Sequence, residues 1–325
     1  MKKTLLALAV ATVSTSALAA GSIYDDGTTS FNLKGEIDTY LSTRKNEVNG
    51  NEVAKNDLDV DVWAKVQVDA THKLNDDVTF FGSFEVENNG GFGYDDSEET
   101  DVVTDDLYFG AYIGENFGIA AGEVGDFGDS LDAVTIDNTN EGYGYMDDFV
   151  SYLESKPHAV SMKYTTGGLK LIADTYLSDD EDEDAAYGVS AQYAFNDMFT
   201  AGATYQDQGN RGHGDDHQIM GVAARMSIAN FGAAVNYISE DIDGADDLET
   251  ISAALDYQID KARLYTSFGF TDADGDDDFN YYTLGADYAF SSNVLAFAEY
   301  SAAELNVSDV KDEDELVLVG VYYTF

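Results

Sequence analysis

LDVDVWAKVQVDA, residues 58–70, decides the fold. Leu58, Val60, Val62, Ala64, Val66 and Val68 take one parity; Asp59, Asp61, Trp63, Lys65, Gln67 and Asp69 take the other. Successive side chains of a strand point to opposite faces, so a strand separates these two sets cleanly. A helix would scatter them around its circumference.

Similar segments recur at about 31–43, 78–87, 104–115, 117–124, 156–166, 169–178, 186–195, 198–206, 217–228, 231–239, 248–258, 262–271, 281–290, 293–303 and 316–325. With 58–70 they make sixteen. FVSYLES, 149–155, also alternates. A closed antiparallel barrel with both termini on one side needs an even number of strands, so this segment is assigned to the end of a long loop. The last segment, LVLVGVYYTF, must then pair with the first, around FNLKGEIDTYL, because an open strand edge would leave backbone groups unpaired in hydrocarbon.

The connections alternate in length. THKLND, EN, TGG, ND, ANFG, DK and SS are short; 44–57, 88–103, 125–155, 179–185, 207–216, 240–247, 272–280 and 304–315 are long. One plain rim and one elaborated rim is the pattern of an outer-membrane barrel, with short periplasmic turns and longer external loops. Tyr40, Phe80, Phe81, Tyr108, Phe109, Tyr193, Phe195, Phe199, Tyr281, Tyr282, Tyr288, Phe290, Tyr322 and Tyr323 sit near strand ends, as interfacial girdles require.

Composition agrees. A basic MKK, the apolar run LLALAVATV and small residues ending in ALA at 17–19 predict a secretory signal peptide over 1–19, with cleavage after Ala20 fitting equally well. The mature domain is then 20–325, a single barrel. No cysteine occurs, which excludes a disulfide framework. No apolar run after the leader is long enough for a spanning helix. Acids outnumber bases 63 to 16, and the bases do not cluster, so nucleic acid is excluded as a partner. The patterned aromatic segments argue against disorder. An acidic soluble protein is the bland alternative.

At this point the chain resembles the trimeric general porins of Gram-negative outer membranes, especially those of Vibrio-group marine bacteria. The resemblance rests on MKKTLLALAVATV, VWAKVQVDATHKLNDDVTFFGSFEVEN, LYFGAYIGENFGIAAGEVGDFG, YGVSAQYAF and the terminal VGVYYTF. It implies a 16-stranded transmembrane β-barrel in the outer membrane, a homotrimer, contact with lipid and lipopolysaccharide, and passage of small cations and hydrophilic solutes. Phe325, with Tyr323 two before it, resembles the signal that barrel assembly machinery reads.

The resemblance also implies that the third external loop, 125–155, folds into the lumen as the constriction. The PEFGG stretch common there is replaced by VGDFGDSLDAVTIDNTNEGYGYMDDF, whose acids are Asp126, Asp129, Asp132, Asp137, Glu141, Asp147 and Asp148. The family opposes this loop with basic residues on the wall. Lys34 and Lys65 fit two such rungs, whereas the next two fall at Asp106 and Glu123; Asp61 joins the lumen set. Residues 74–155 hold no Lys or Arg and 21 acids. Whatever the register, that span cannot supply a positive wall. A narrow pore lined by carboxylates concentrates cations and repels anions.

The remaining signals are weaker. DADGDDD places Asp272, Asp274, Asp276 and Asp278 at alternating positions, but a calcium loop of the helix–loop–helix kind also needs a terminal Glu and flanking helices. The loop is read as a solvated one that bridges Ca or Mg loosely, and no cofactor is expected. His213 and His217 straddle a loop and a strand start rather than a helix face, while His72 and His158 flank turns. Nothing resembles a catalytic constellation, so an enzyme is not expected. Two alternatives stay open. One is a substrate-specific pore, for instance for oligosaccharides, with Trp63, Tyr143, Tyr145 and Tyr152 as an aromatic track. The other is a structural or adhesion barrel at the surface.

Overall fold

The computed structural model describes residues 21–88, 102–143, 158–178, 183–210, 216–244, 247–273, 278–307 and 310–325. In chain order the strands are β1 (Gly21–Asp25), β2 (Thr29–Val48), β3 (Asn51–Lys55), β4 (Asp59–Lys73), β5 (Val78–Asn88), β6 (Val102–Ile113), β7 (Phe117–Gly122), β8 (Ala159–Thr166) and β9 (Leu169–Tyr176). They continue with β10 (Ala186–Asn196), β11 (Phe199–Gly209), β12 (His217–Ile228), β13 (Phe231–Ile242), β14 (Leu248–Ile259), β15 (Ala262–Ala273), β16 (Asp278–Ser291), β17 (Val294–Val307) and β18 (Val310–Thr324). A single 3-10 turn, Leu131–Ala133, is the one helical element among the described residues.

The wall is a closed antiparallel barrel of 16 staves. β3 and β4 both pair with β2 and form one stave, broken at 56–58. β1 is an extra hairpin strand at the N-terminal end of β2. Each remaining strand pairs with its neighbours in sequence, and β18 pairs with β2 from Asp312↔Val48 to Thr324↔Glu36. Phe325 completes the seam: its N–H donates to the Gly35 carbonyl, and the Gly35 N–H donates to its carbonyl, both at 2.9 Å. The Phe325 ring lies over Gly35, where a Cβ would stand 2.2 Å from ring carbon Cζ. Glycine is required there by that close approach.

The faces are inverted relative to a water-soluble sandwich. On β18, Val317, Val319 and Val321 are 42–45% exposed, while Leu318 on the other parity is fully buried. The same outward apolar face runs through Val189, Val222, Val235, Ile251, Leu264 and Leu284. Inward positions are polar and covered: Gln206, Asn236, Ser252, Ser267, Thr283, Glu299 and Ser301. Lipid outside and water inside account for this arrangement.

Two connections are shorter than the hydropathy pattern suggests. Residues 44–57 are mostly strand, turning at Asn49 (φ 52°) and Gly50 (φ 72°). Residues 304–315 are likewise strand up to Val307 and again from Val310. These segments are charged on both faces, so no apolar alternation marks them, yet their backbones still pair. The segment 149–155 lies outside the described residues.

Deleting Phe325 removes two seam hydrogen bonds and the ring over Gly35. The expected outcome is a lower yield of heat-resistant folded barrel on a semi-native gel, with unchanged single-channel conductance in the pores that form. An unchanged yield would contradict this role.

Candidate pore constriction

The loop after β7 starts at a backbone position that favours glycine. Gly122 has φ 129°, and a Cβ there would lie 2.2 Å from the Leu107 carbonyl oxygen. A turn follows: Phe127 and Gly128 N–H both donate to the Val124 carbonyl, at 3.0 and 2.9 Å. From there the chain runs round the inside of the wall, meeting the strands almost in sequence order.

The contacts form a continuous track. Ser161 of β8 donates to the Gly128 carbonyl at 2.7 Å. Asp174 of β9 accepts from the Ser130 backbone at 2.5 Å and its hydroxyl at 3.1 Å. Thr204 of β11 donates to the Ser130 carbonyl at 2.8 Å. Arg225 of β12 donates to the carbonyls of Ala133 (3.0 Å), Asp132 (3.2 Å) and Thr135. Asn236 of β13 donates to the Val134 carbonyl at 2.9 Å. Asn138 donates to the Leu255 carbonyl of β14 at 3.0 Å, and Arg263 of β15 donates to the Asn138 carbonyl at 3.1 Å.

The far end is held by acids and tyrosines. Glu299 of β17 accepts the Asn140 and Glu141 N–H groups at 2.7 and 3.0 Å. Glu141 then accepts from Tyr322 of β18 at 2.6 Å and Tyr40 of β2 at 2.8 Å. Tyr143 donates to Asp314. Apolar packing adds to the seat: Leu131, Val134, Ile136 and Tyr143 join Ile219, Ala223, Ala234 and Ile238 in one buried cluster. Small wall residues admit the backbone. A Cβ on Gly202 would lie 2.2 Å from the Ala133 carbonyl oxygen, and one on Gly188 would lie 2.0 Å from Ser130 Oγ.

Residues 124–143 thus cover the arc from β8 to β18 and, apart from Tyr40 of β2 and the contacts of the loop root, leave bare among the described residues the arc of β2, β4, β5 and β6. Lys34 and Lys65 lie on that bare arc, each already paired: Lys34 Nζ to Asp69 at 2.6 Å, and Lys65 Nζ to Glu85 at 3.2 Å. Asp61 and Trp63 share the face, with Lys65 5.4 Å above the Trp63 ring. Asp106 sits in a β-bulge with φ 45°; pairing jumps from Ser83↔Tyr108 to Glu85↔Asp105. Leu107 takes the lipid face, so both Asp105 and Asp106 turn inward. Asp106 accepts the Asp126 N–H at 3.3 Å, and Asp126 accepts from Gln67 at 3.3 Å. Glu123 follows β7 directly, its N–H on the Leu107 carbonyl.

Other loop acids are engaged in seating. Asp129 is buried and accepts from the Leu131 N–H (2.7 Å) and the Tyr176 hydroxyl. Asp132 pairs with Lys170 at 2.9 Å, and Asp137 accepts from the Thr139 N–H at 2.9 Å. Tyr143 is 5% exposed and belongs to the loop seat, so it lines no open track. Tyr145, Tyr152, Asp147 and Asp148 lie outside the described residues, as do Asp274, Asp276 and His213. Asp272 and Asp278 face each other across the β15–β16 hairpin. His217 is buried against Glu240, 3.0 Å away. Tyr323 packs its ring 6.0 Å from Phe325. Residues missed in the sequence include Glu141, Glu299 and Asp314 as loop anchors, and Asp105. The inward parity of Glu299 and Asp314 was legible, but the wall position that meets the loop was not, and the bulge that turns Asp105 inward leaves no mark in the alternation.

Glu141 lies on the loop, outside the spanning strands. Burial raises its carboxyl pKa above the ordinary range; the Tyr322 and Tyr40 hydroxyls pull it back, and Glu299 and Glu36 add to the rise. A raised carboxyl favours the seated loop most below its ordinary pKa and loses that contribution as pH climbs through the raised value. Current flicker from loop motion should therefore grow from acid to neutral pH. In Glu141→Gln that pH dependence should vanish. Glu141→Ala removes the carboxylate that ties Tyr322 and Tyr40 to the loop, loosens the loop by about 1–3 kcal/mol, and should raise noise and mean conductance. Unaltered traces in both variants would count against the anchor.

Comparison with known proteins places these features in context. The description of Gram-negative porins matches residues 5–307. Among solved structures, OmpT of Vibrio cholerae superposes with a TM-score of 0.70 at 17% identity, covering 93% of this chain and 99% of that one. Salmonella typhi OmpF, in a complex with daunomycin, gives 0.66 at 15% identity, covering 94% and 100%. A mutant of Rh. blastica porin gives 0.63 at 17% identity, covering 91% and 100%. No curated protein matches the chain significantly.

Proposed function

The chain belongs to the Gram-negative porin family, an outer-membrane diffusion channel by family and fold, and from that premise we propose that its pore prefers cations and passes small hydrophilic solutes. The observation that carries the proposal is the charge on the bare arc. Its inward bases are each spent on a carboxylate, Lys34 on Asp69, Arg44 on Asp314 and Lys65 on Glu85, while Glu36, Asp61, Asp105, Asp106 and Asp126 share the same stretch of wall and loop root. The bases on the covered arc serve the loop: Arg225 and Arg263 hold its carbonyls, and Lys170 holds Asp132. A solute therefore meets an excess of carboxylates, and an anion meets no open basic rung.

The assembly is proposed to be a homotrimer. The outward face of β4 carries Val60, Val62, Ala64, Val66 and Val68 with no aromatic residue, unlike the girdled faces of β10 and β16. Such an ungirdled apolar strip suits a neighbouring protein better than a lipid interface. A Vibrio cholerae OmpT structure is described as a trimer form. Residues 1–19 act as the export signal, lipid and lipopolysaccharide surround the barrel, and the C-terminal Tyr323 and Phe325 address the assembly machinery.

Reversal potential across a planar bilayer with a KCl gradient tests the selectivity. The sign should report cation preference, and the preference should shrink as salt rises and the Debye length falls below about 8 Å. Asp106→Lys combined with Asp126→Asn should bring the permeability ratio toward unity. Anion preference in the wild type would sink the proposal.

A further inference from the structure

The described part of the constriction loop ends against the one place in the wall that no turn or loop joins directly. Every other pair of neighbouring staves is consecutive in the chain, whereas β2 and β18 come from its two ends. Arg44 and Asp314, which meet across this seam, stand 270 residues apart. Closing a segment of that length carries a larger entropic cost than closing a hairpin. The seam therefore depends entirely on its ladder and on the side chains that bridge it.

Two loop side chains bridge it from inside. Residues 140–143 are first fixed on the neighbouring staves. Glu299 of β17 accepts the Asn140 and Glu141 N–H groups, the Ser301 hydroxyl accepts the Tyr143 N–H at 3.3 Å, and Thr283 of β16 donates to the Tyr143 carbonyl at 3.0 Å. Gly142 lies flat on the wall between them, where a Cβ would stand 2.4 Å from Thr283 Cγ2 and 2.5 Å from Ser301 Oγ. From this footing Glu141 accepts one hydroxyl from each side of the seam, Tyr322 of β18 and Tyr40 of β2, whose rings meet edge-on at 6.3 Å. Farther along the same seam, Arg44 of β2 donates to Asp314 of β18 through Nε at 2.8 Å and Nη2 at 2.7 Å. The same Asp314 carboxylate accepts the Tyr143 hydroxyl.

We propose that this end of the loop is a staple: through Glu141 and Tyr143 it holds the first and last strands together from within the lumen. The seats on Asp174, Thr204 and Asn236 fall on strands whose neighbours are already tied to them by turns or loops. At the seam the loop instead joins two strands that nothing else links locally. The two tyrosines come together only in the paired register, with Gly320 opposite Tyr40 and Tyr322 opposite Asp38. The loop end therefore docks after β18 has met β2. Once it has docked, parting the strands must also break Glu141 from one tyrosine and disrupt the cluster around Asp314. Hydrogen bonds to an ionised partner in a covered site are the strong ones. One element thus narrows the pore and secures the wall, and the staple does not depend on which ions the pore prefers.

Hydrogen–deuterium exchange of the folded barrel, read peptide by peptide, tests this. In Glu141→Ala the amides of 36–48 and 312–324 should exchange about tenfold faster or more, while the β12–β13 ladder keeps its protection. Tyr40→Phe combined with Tyr322→Phe keeps both rings, removes only the hydroxyls, and should reproduce that pattern. Asn236→Ala releases the Val134 carbonyl on β13, so it should free the loop there and leave the seam protected. Heat-resistant gel mobility identifies the folded fraction in each case. Seam protection that survives in either of the first two variants would overturn the staple, even if channel noise rises, because the loop would then be anchored without holding the wall. Equal loss of seam protection in Asn236→Ala would overturn it as well. Should Glu141→Ala yield no folded barrel, the tyrosine pair decides alone.

Discussion

Everything in this molecule depends on closing the strand ladder. Inside hydrocarbon a backbone N–H or C=O has no water to turn to, and each unsatisfied group costs several kcal/mol. An open edge between the first and last staves would expose a whole row of them. The β2–β18 seam removes that edge, and its last pair is made by the main chain of the final residue, Phe325. Strand count, the direction of each turn and the parity of every side chain are consequences of closure.

A closed ring of this size has an interior too wide for side chains to fill. The third loop answers that geometry. Its described part has almost no secondary structure of its own, so its backbone groups need partners, and the wall supplies them in strand order. Asp174, Thr204, Arg225, Asn236, Arg263 and Glu299 each take one stretch of loop backbone. Buried polar groups that are fully satisfied rigidify and specify a structure, whereas half-satisfied ones are costly. The loop and its wall satisfy one another, which is why polar inward positions on β9 to β17 such as Asp174, Thr204, Asn236 and Glu299 are also buried.

The charge logic follows from that seating. A chain with so few bases cannot both hold the loop and line the pore with positive charge. Arg225, Arg263 and Lys170 go to the loop, while Lys34 and Lys65 are paired with Asp69 and Glu85. What faces the water on the uncovered arc is the remainder, and the remainder is acidic. Crowding those acids on one bulged stretch of β5 and β6 leaves the buried Glu85 to Lys65. The same shortage of bases therefore shapes the selectivity proposed for the pore.

Much of this was legible in the amino-acid order because it is periodic. The alternation in LDVDVWAKVQVDA and its fifteen companions determined strands, faces and closure, since lipid imposes one rule on every outward position. The lack of Lys and Arg across 74–155 determined that this span supplies no positive wall, since no register can place a base that is absent. The charged hairpin tips at 44–57 and 304–315 were hidden, because above the bilayer no face is obliged to be apolar. Tertiary structure alone decided the route of the loop, the role of Glu141 as an anchor shared by Tyr40 and Tyr322, the burial of Tyr143, and the convergence of Asp105 on Glu85. Those outcomes join residues many strands apart through three-dimensional closure and one β-bulge, and neither leaves a period in the sequence.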